Sequence, residues 1–341
     1  YLVQEVSAEG PGTLDEMIEL LRPNFAIVTA VGLDHYKAFR THEAVAAEKG
    51  KLVERLPADG VAILNADDPN VIGMASRTSA RVVSYGLSEN ADIRALDVSC
   101  IWPERLTLTV AALGQTRRIE TGLFGTQFTS SVLAAIATAL QLGLSLDECA
   151  ERLGSALPLY QRMSIHPHPS GAWFIADTYK APAWSINASL AALEGASAPR
   201  RTVVIGTISD VRGDESRLYE RAGRSALEVA DRVIFAGEKS SRARKLKNGD
   251  DADRVMLFPV FLDLVKWLDE NLVEDEVVLL KSGTNHLERL FLFPKYGVYC
   301  ALDNCTYKGS CIKCEVTNDV AGLRNATKEK ILLHGPDVGR P

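Results

Sequence analysis

The tightest constraint on the fold lies near the amino end of the chain. Phe25-Ala-Ile-Val-Thr-Ala-Val31 is apolar and β-branched, the pattern of a buried strand. Gly32 ends the run. Thr41 then offers a helix start with Glu43 in its first turn, and Ala44 to Lys51 are good helix formers. A buried strand feeding a helix is the unit of an α/β fold, and in open α/β sheets ligands gather at the carboxyl ends of the strands. Asp34 and His35 stand at that end. Lys49 lies in the helix among alanines, where burial would disfavour the ammonium form. The neutral amine is the form that reacts with carbon dioxide. Singly, such a histidine is a structural residue and such a lysine a solvated charge; only their combination points to a site.

The same unit recurs along the chain. Gly60 to Asn65 reads as a strand running into a turn at Asp67-Asp68-Pro69. Residues 81–120 read as short alternating strands. A helix follows over 129–142, capped by Gly143, and another over 144–153. Beyond residue 172, strands at Trp173, 201–206, 231–237 and 276–281 alternate with helices at 184–195 and within 213–229. This is the rhythm of a doubly wound sheet. With 341 residues, 46% of them hydrophobic and 24% charged, the chain has room for two domains and their cores. A net charge of −6 argues against a general nucleic-acid binder. No apolar run of about 18 residues occurs, so no membrane span is expected. Six cysteines, four of them at 300, 305, 311 and 314, suit a cytoplasmic protein with a metal knuckle better than a disulfide framework.

Tyr1-Leu-Val-Gln-Glu-Val-Ser7 also reads as a strand, with Glu5 near its end. Taken in order, Glu5-Val-Ser7, Asp34-His35, Glu48-Lys49-Gly50-Lys51-Leu52, Leu64-Asn-Ala-Asp-Asp68, Leu159-Tyr-Gln-Arg-Met163 and Asp177-Thr-Tyr-Lys-Ala181 resemble the Mur ligases. These are ATP-dependent enzymes that add amino acids to a peptidoglycan precursor. The nearest branch is the one that adds D-alanyl-D-alanine, and the resemblance runs from residue 1 to about 292. It implies a central ATP-binding domain over 1–165 and a Rossmann-like C-terminal domain over 172–292, joined by a linker at His166-Pro-His-Pro-Ser-Gly171. A Cys-rich tail would occupy 293–341.

By the same resemblance Glu5 and His35 would bind magnesium, and Lys49 would be a carbamylated lysine. Asn65 and Asp67 would lie on the ATP side, although an Asx turn before Pro69 explains them equally. Arg162 would face the ATP phosphates, Asp177 the ribose, and Lys180 the phosphate or acyl phosphate. Lys281, Ser282 and Asn285 would bind the incoming amine substrate. Cys300, Cys305, Cys311 and Cys314, which lie beyond the resemblance, have a spacing that could hold one zinc. Some positions depart from the family pattern. Gln127, Phe128 and Ser131 replace a histidine and two asparagines, Pro182 replaces an asparagine, and Lys281-Ser-Gly-Thr-Asn285 lacks the usual arginine. No G-x-x-x-x-G-K-[ST] phosphate loop occurs. The expectation is an N-terminally truncated or split enzyme whose loop lies on another segment or subunit, inactive by itself.

The resulting expectation is an ATP-dependent carboxylate–amine ligase working through an acyl phosphate. Its partners would be a UDP-muramoyl-peptide precursor and an amino acid or dipeptide. The alternatives are a related ligase of folate polyglutamylation or specialised peptide synthesis, and a non-catalytic scaffold that binds nucleotide or protein.

Overall fold

The computed structural model describes residues 1–32, 36–211, 213–296 and residue 311. The chain forms two units. The first comprises Tyr1–Ser99, Leu106–Gly122 and Gln127–Ala156; the second comprises Cys100–Arg105, Leu123–Thr126 and the chain from Leu157 onward.

In the first unit the elements are α1 (Thr13–Leu21), β1 (Phe25–Val28), α2 (Tyr36–Phe39), α3 (His42–Glu54), β2 (Val61–Asn65), α4 (Pro69–Ile72), β3 (Arg81–Gly86), β4 (Ile93–Ser99), β5 (Thr107–Ala112), β6 (Gln115–Glu120), α5 (Thr129–Gln141) and α6 (Leu146–Gly154). The sheet order is β1-β2-β3-β4-β5-β6. Strands β1 to β4 are parallel, and β4 to β6 form an antiparallel meander. All five residues of β2 are buried, as a central parallel strand requires. The helices start where the side chains dictate. The Thr41 side chain accepts from the Ala44 amide at the head of α3, and Ser145 and Glu148 close a capping box on α6. Val53, Leu64, Val71 and Met74 lie in the core of this unit.

Glu48 links α3 to α1. It is 3% exposed and accepts the amides of Gly12 and Leu14, each at 2.9 Å, with the Lys51 ammonium also at 2.9 Å. Burial pushes its carboxyl up, but the two amides and Lys51 outweigh that and hold it below its ordinary value.

The second unit contains β7 (Arg162–Pro167), β8 (Trp173–Asp177), α7 (Ile186–Leu190), β9 (Arg201–Ile205), α8 (Glu215–Val229), β10 (Arg232–Ala236), β11 (Val255–Phe258), α9 (Phe261–Asn271), β12 (Val277–Lys281) and α10 (Arg289–Tyr296). Its sheet runs β11-β10-β9-β12-β8-β7. Every pair is parallel except β7–β8. Phe174, Val204, Ile234, Leu264, Leu280 and Phe291 are among its core residues.

At the amino end of this sheet Glu276 is fully buried. It binds Arg232 at 2.6 Å, Arg200 at 2.5 Å and the Thr202 hydroxyl at 2.6 Å. Arg232 also lies over the Trp267 ring, 4.6 Å from its centroid. A carboxylate this deeply buried persists only when its oxygens are satisfied in this way.

Three expectations need correction. Residues 1–7 are not a strand, and Leu2 and Val3 are 76% and 87% exposed. An extended segment becomes a strand only by pairing, and these residues pair with no strand among the described residues. The expected linker at 166–171 instead carries the end of β7 and its turn into β8, so Arg162 to Pro167 belong to the second sheet. Likewise α10 runs past residue 292, with Leu290, Phe291 and Leu292 buried. Among the described residues no helix is long and apolar enough to cross a membrane.

Two outcomes follow for stability. Glu276→Ala leaves two guanidinium groups without their buried counter-charge and lowers stability by about 3–5 kcal/mol in urea denaturation. Glu48→Gln costs about 2 kcal/mol at neutral pH. Because the folded-state value of Glu48 is depressed, its contribution is complete above the ordinary 4.5 and is lost as pH falls through the lower folded value. The wild-type advantage over Glu48→Gln therefore disappears in acid; a constant difference down to low pH would contradict the assignment.

Candidate functional sites

In the first unit, polar groups collect at the carboxyl ends of β1, β2 and β3. The Lys49 ammonium donates to the Ala30 carbonyl at 2.7 Å, just beyond β1. Asn65, at the end of β2, donates to the Thr29 carbonyl at 2.8 Å and accepts the Asp67 amide at 2.9 Å. Ser130, in the first turn of α5, lies 3.5 Å from the Asn65 side-chain nitrogen. Burial pushes the Tyr85 hydroxyl up to about 12, opposed by a bond with Ser130 and reinforced by the charge of Asp67. The Asp67 carboxylate accepts the amides of Leu87 and Ser88 at 2.8–2.9 Å and so shapes the turn after β3. Asp68 accepts the Val31 amide at 2.8 Å and caps α4. In this structure Asn65 and Asp67 hold turns, which is the Asx-turn alternative.

Glu5 is exposed on a segment without regular secondary structure, and His35 lies outside the described residues. Among the described residues no three His, Cys, Asp or Glu side chains come together to hold a metal ion. The magnesium set expected from Glu5 and His35, oriented by Lys49, depends on His35 and so falls partly outside the described residues. Of the four tail cysteines, Cys300, Cys305 and Cys314 also lie outside the described residues. Cys311 is 8% exposed and packs in the apolar core of the second unit, so the zinc expectation finds no support.

In the second unit the expected residues do converge. Asp177 ends β8 and Lys281 ends β12, and the two strands pair with these residues in register. The Lys281 ammonium is 2.6 Å from Asp177 Oδ2, with the side chains 3% and 14% exposed. Ser189 donates to the same oxygen at 2.5 Å. Asp177 Oδ1 carries no bond among the described residues. Lys281, expected to meet a substrate, is thus occupied by Asp177. Ser282 is also occupied: its hydroxyl accepts the amides of Thr207 at 3.1 Å and Thr284 at 3.2 Å. Gly206 permits this close approach, since a Cβ there would come within 2.5 Å of the Ser282 hydroxyl. The Asn285 side chain is not among those described.

Arg162 and Lys180 are exposed at the same end of the sheet. The Arg162 guanidinium stands over the Tyr179 ring, 4.4 Å from its centroid. Sequence reasoning missed Tyr179, Ser189 and Thr207. Their roles come from strand register and helix position, which no local motif reports. The arrangement offers two exposed cations, a carboxylate oxygen able to accept a hydroxyl, and a rigid turn at the carboxyl ends of parallel strands. That chemistry fits a phosphorylated ligand carrying a sugar.

Comparison with known proteins bears on the family and the fold. Residues 1–139 match the Mur ligase middle domain and residues 161–283 the domain described as Mur ligase, glutamate ligase domain. The UDP-N-acetylmuramoyl-tripeptide–D-alanyl-D-alanine ligase of Mycobacterium tuberculosis is 31% identical over 244 residues, covering 70% of this chain and 48% of that protein. The chain thus spans about half the length of the curated relatives it matches. The MurF structure from Acinetobacter baumannii superimposes with a TM-score of 0.75 at 20% identity, covering 84% of this chain and 63% of that one. MurF ligase from Thermotoga maritima, solved in complex with ADP, gives a TM-score of 0.71 at 20% identity over 84% of this chain and 65% of that one.

The Asp177–Lys281 pair yields a direct expectation. Asp177→Asn strands a buried ammonium, so stability falls by about 3–5 kcal/mol in chemical denaturation. The double variant Asp177→Asn with Lys281→Met recovers most of that loss, and equal losses for single and double variants would rule out the pair as the cause.

Proposed function

The chain belongs to the Mur ligase family, and from that premise we propose that the protein is an ATP-dependent carboxylate–amine ligase. Its proposed substrates are a UDP-muramoyl-peptide precursor and D-alanyl-D-alanine or a related amine. The observation that carries this reading is the cluster at the carboxyl ends of β8 and β12, where Asp177 pairs with Lys281 beside the exposed Arg162 and Lys180. In the reaction, an oxygen of the acceptor carboxylate attacks the γ-phosphorus of ATP, and the bond to ADP breaks. The incoming amine then attacks the acyl carbon, loses a proton and expels phosphate. Positioning and charge stabilisation carry such chemistry.

Arg162 and Lys180 would neutralise phosphoryl oxygens. The unengaged Oδ1 of Asp177 would accept a ribose hydroxyl while Oδ2 keeps Lys281 charged. Magnesium, when bound, would screen the phosphates. In the first unit, Lys49 is the candidate for carbamylation. Its amine sits 2.7 Å from the Ala30 carbonyl at the end of β1, where a carbamate would place an anion at the ligand end of the sheet. The missing arginine after Ser282, which would have paired with a carboxylate, favours a divergent amine as a second reading.

Phosphate release from ATP by the full-length protein tests the activity. The reading requires release that depends on both the muramoyl-peptide and an amine; release with no dependence on either would contradict it. Lys49→Ala reduces ligation by about 100-fold, and added short carboxylates restore part of it. Wild-type rates for that variant would end the carbamate assignment.

A further inference from the structure

The backbone around Arg162 is unusual. Gln161 and Met163, on either side of it, have φ of 62° and 55°, in the left-handed region that L side chains rarely occupy. The β7–β8 register shifts between Arg162, which pairs with Asp177, and Ser164, which pairs with Ala176, so Met163 is the extra residue of a bulge directly beside Arg162. Bulges re-aim a side chain, and strained residues persist only where their surroundings hold them.

Here the holding group is buried. Gln161 is 2% exposed, and its side-chain amide donates to Glu288 Oε2 at 2.6 Å. Its own amide donates to the Ser164 hydroxyl at 2.9 Å, and its carbonyl accepts the amides of Thr178 at 3.0 Å and Tyr179 at 3.3 Å. Glu288 is fully buried and also accepts the Tyr160 hydroxyl at 2.8 Å and the Cys311 amide. The same latch therefore fixes the two parts of one contact. It sets the backbone from which Arg162 departs, and through Thr178 and Tyr179 it sets the ring over which the guanidinium lies. Arg162 and Tyr179 are both exposed, Tyr179 by 52%, so core packing does not account for their contact.

We propose that Tyr179, together with Gln161 and its anchor Glu288, positions the Arg162 guanidinium to receive the terminal phosphates of the nucleotide. None of the three touches the substrate. They limit the freedom of a long cation so that less is lost when it binds phosphate. This rests on the ligase reading, which supplies the nucleotide. A bulge that merely ended the sheet would require neither a buried carboxylate nor an aromatic ring under the arginine.

The test is calorimetric titration of the full-length protein with ATP and with AMP, since only ATP carries the terminal phosphates. Wild type prefers ATP. Tyr179→Ala and Gln161→Gly each reduce that preference tenfold or more while AMP affinity stays within twofold. Tyr179→Phe, which keeps a ring face, restores it. Tyr179→Ala changes an exposed residue and keeps the fold, so it carries the test by itself should Gln161→Gly, which takes one bond from buried Glu288, fail to fold. If both variants keep the wild-type preference while Arg162→Ala loses it, the positioning role is overturned and the ligase reading stands. If wild type binds neither nucleotide, the ligase reading falls and this inference falls with it.

Discussion

The second unit depends on one buried ion pair. An ammonium group taken out of water costs several kcal/mol unless a counter-charge and hydrogen bonds meet it. Lys281 meets that requirement through Asp177, and the in-register pairing of β8 with β12 is what brings the two together. A one-residue slip of either strand would turn the side chain to the other face and leave the charge alone. The pair therefore pins the register, and the register places the turn at Ser282 and the segment from Thr178 to Ser185.

The two ends of this sheet use charge differently. At the amino end, Glu276 takes Arg200, Arg232 and Thr202 into a closed network. Every partner there is a residue of the protein, and the network serves stability. At the carboxyl end the balance is open. Asp177 neutralises Lys281, while Arg162 and Lys180 keep their charges at the surface. An open positive balance at the ligand end of a parallel sheet, against a chain of net charge −6, is a local feature suited to an anion.

Much of the fold was legible because its signals are local. Thr41, Glu43 and the alanines that follow announce α3, and the β-branched runs at 201–205 and 277–280 announce two central strands. The doubly wound order followed from their alternation with helices. What failed depended on partners. Tyr1 to Ser7 has strand composition, but composition supplies no neighbouring strand. His166-Pro-His-Pro-Ser-Gly171 looks like a linker, yet Pro167 is tolerated because it ends β7 at the edge of the sheet. The site was half legible for the same reason. Asp177, Lys180 and Arg162 were singled out by motif, but the engagement of Lys281 by Asp177 and of Ser282 by Thr207 is a matter of register. The burial of Glu48, Glu276 and Glu288 was not legible, because no sequence pattern marks a carboxylate that will be buried and fully bonded.

The central claim is that this family member joins a carboxylate to an amine through an acyl phosphate. Oxygen-18 in the acceptor carboxylate tests it most directly. During ligation by the full-length protein, one labelled oxygen passes to the phosphorus and leaves with the released phosphate. The account predicts labelled phosphate in step with amide formation. Unlabelled phosphate alongside amide product would show that the carboxylate is activated in some other way and would contradict it.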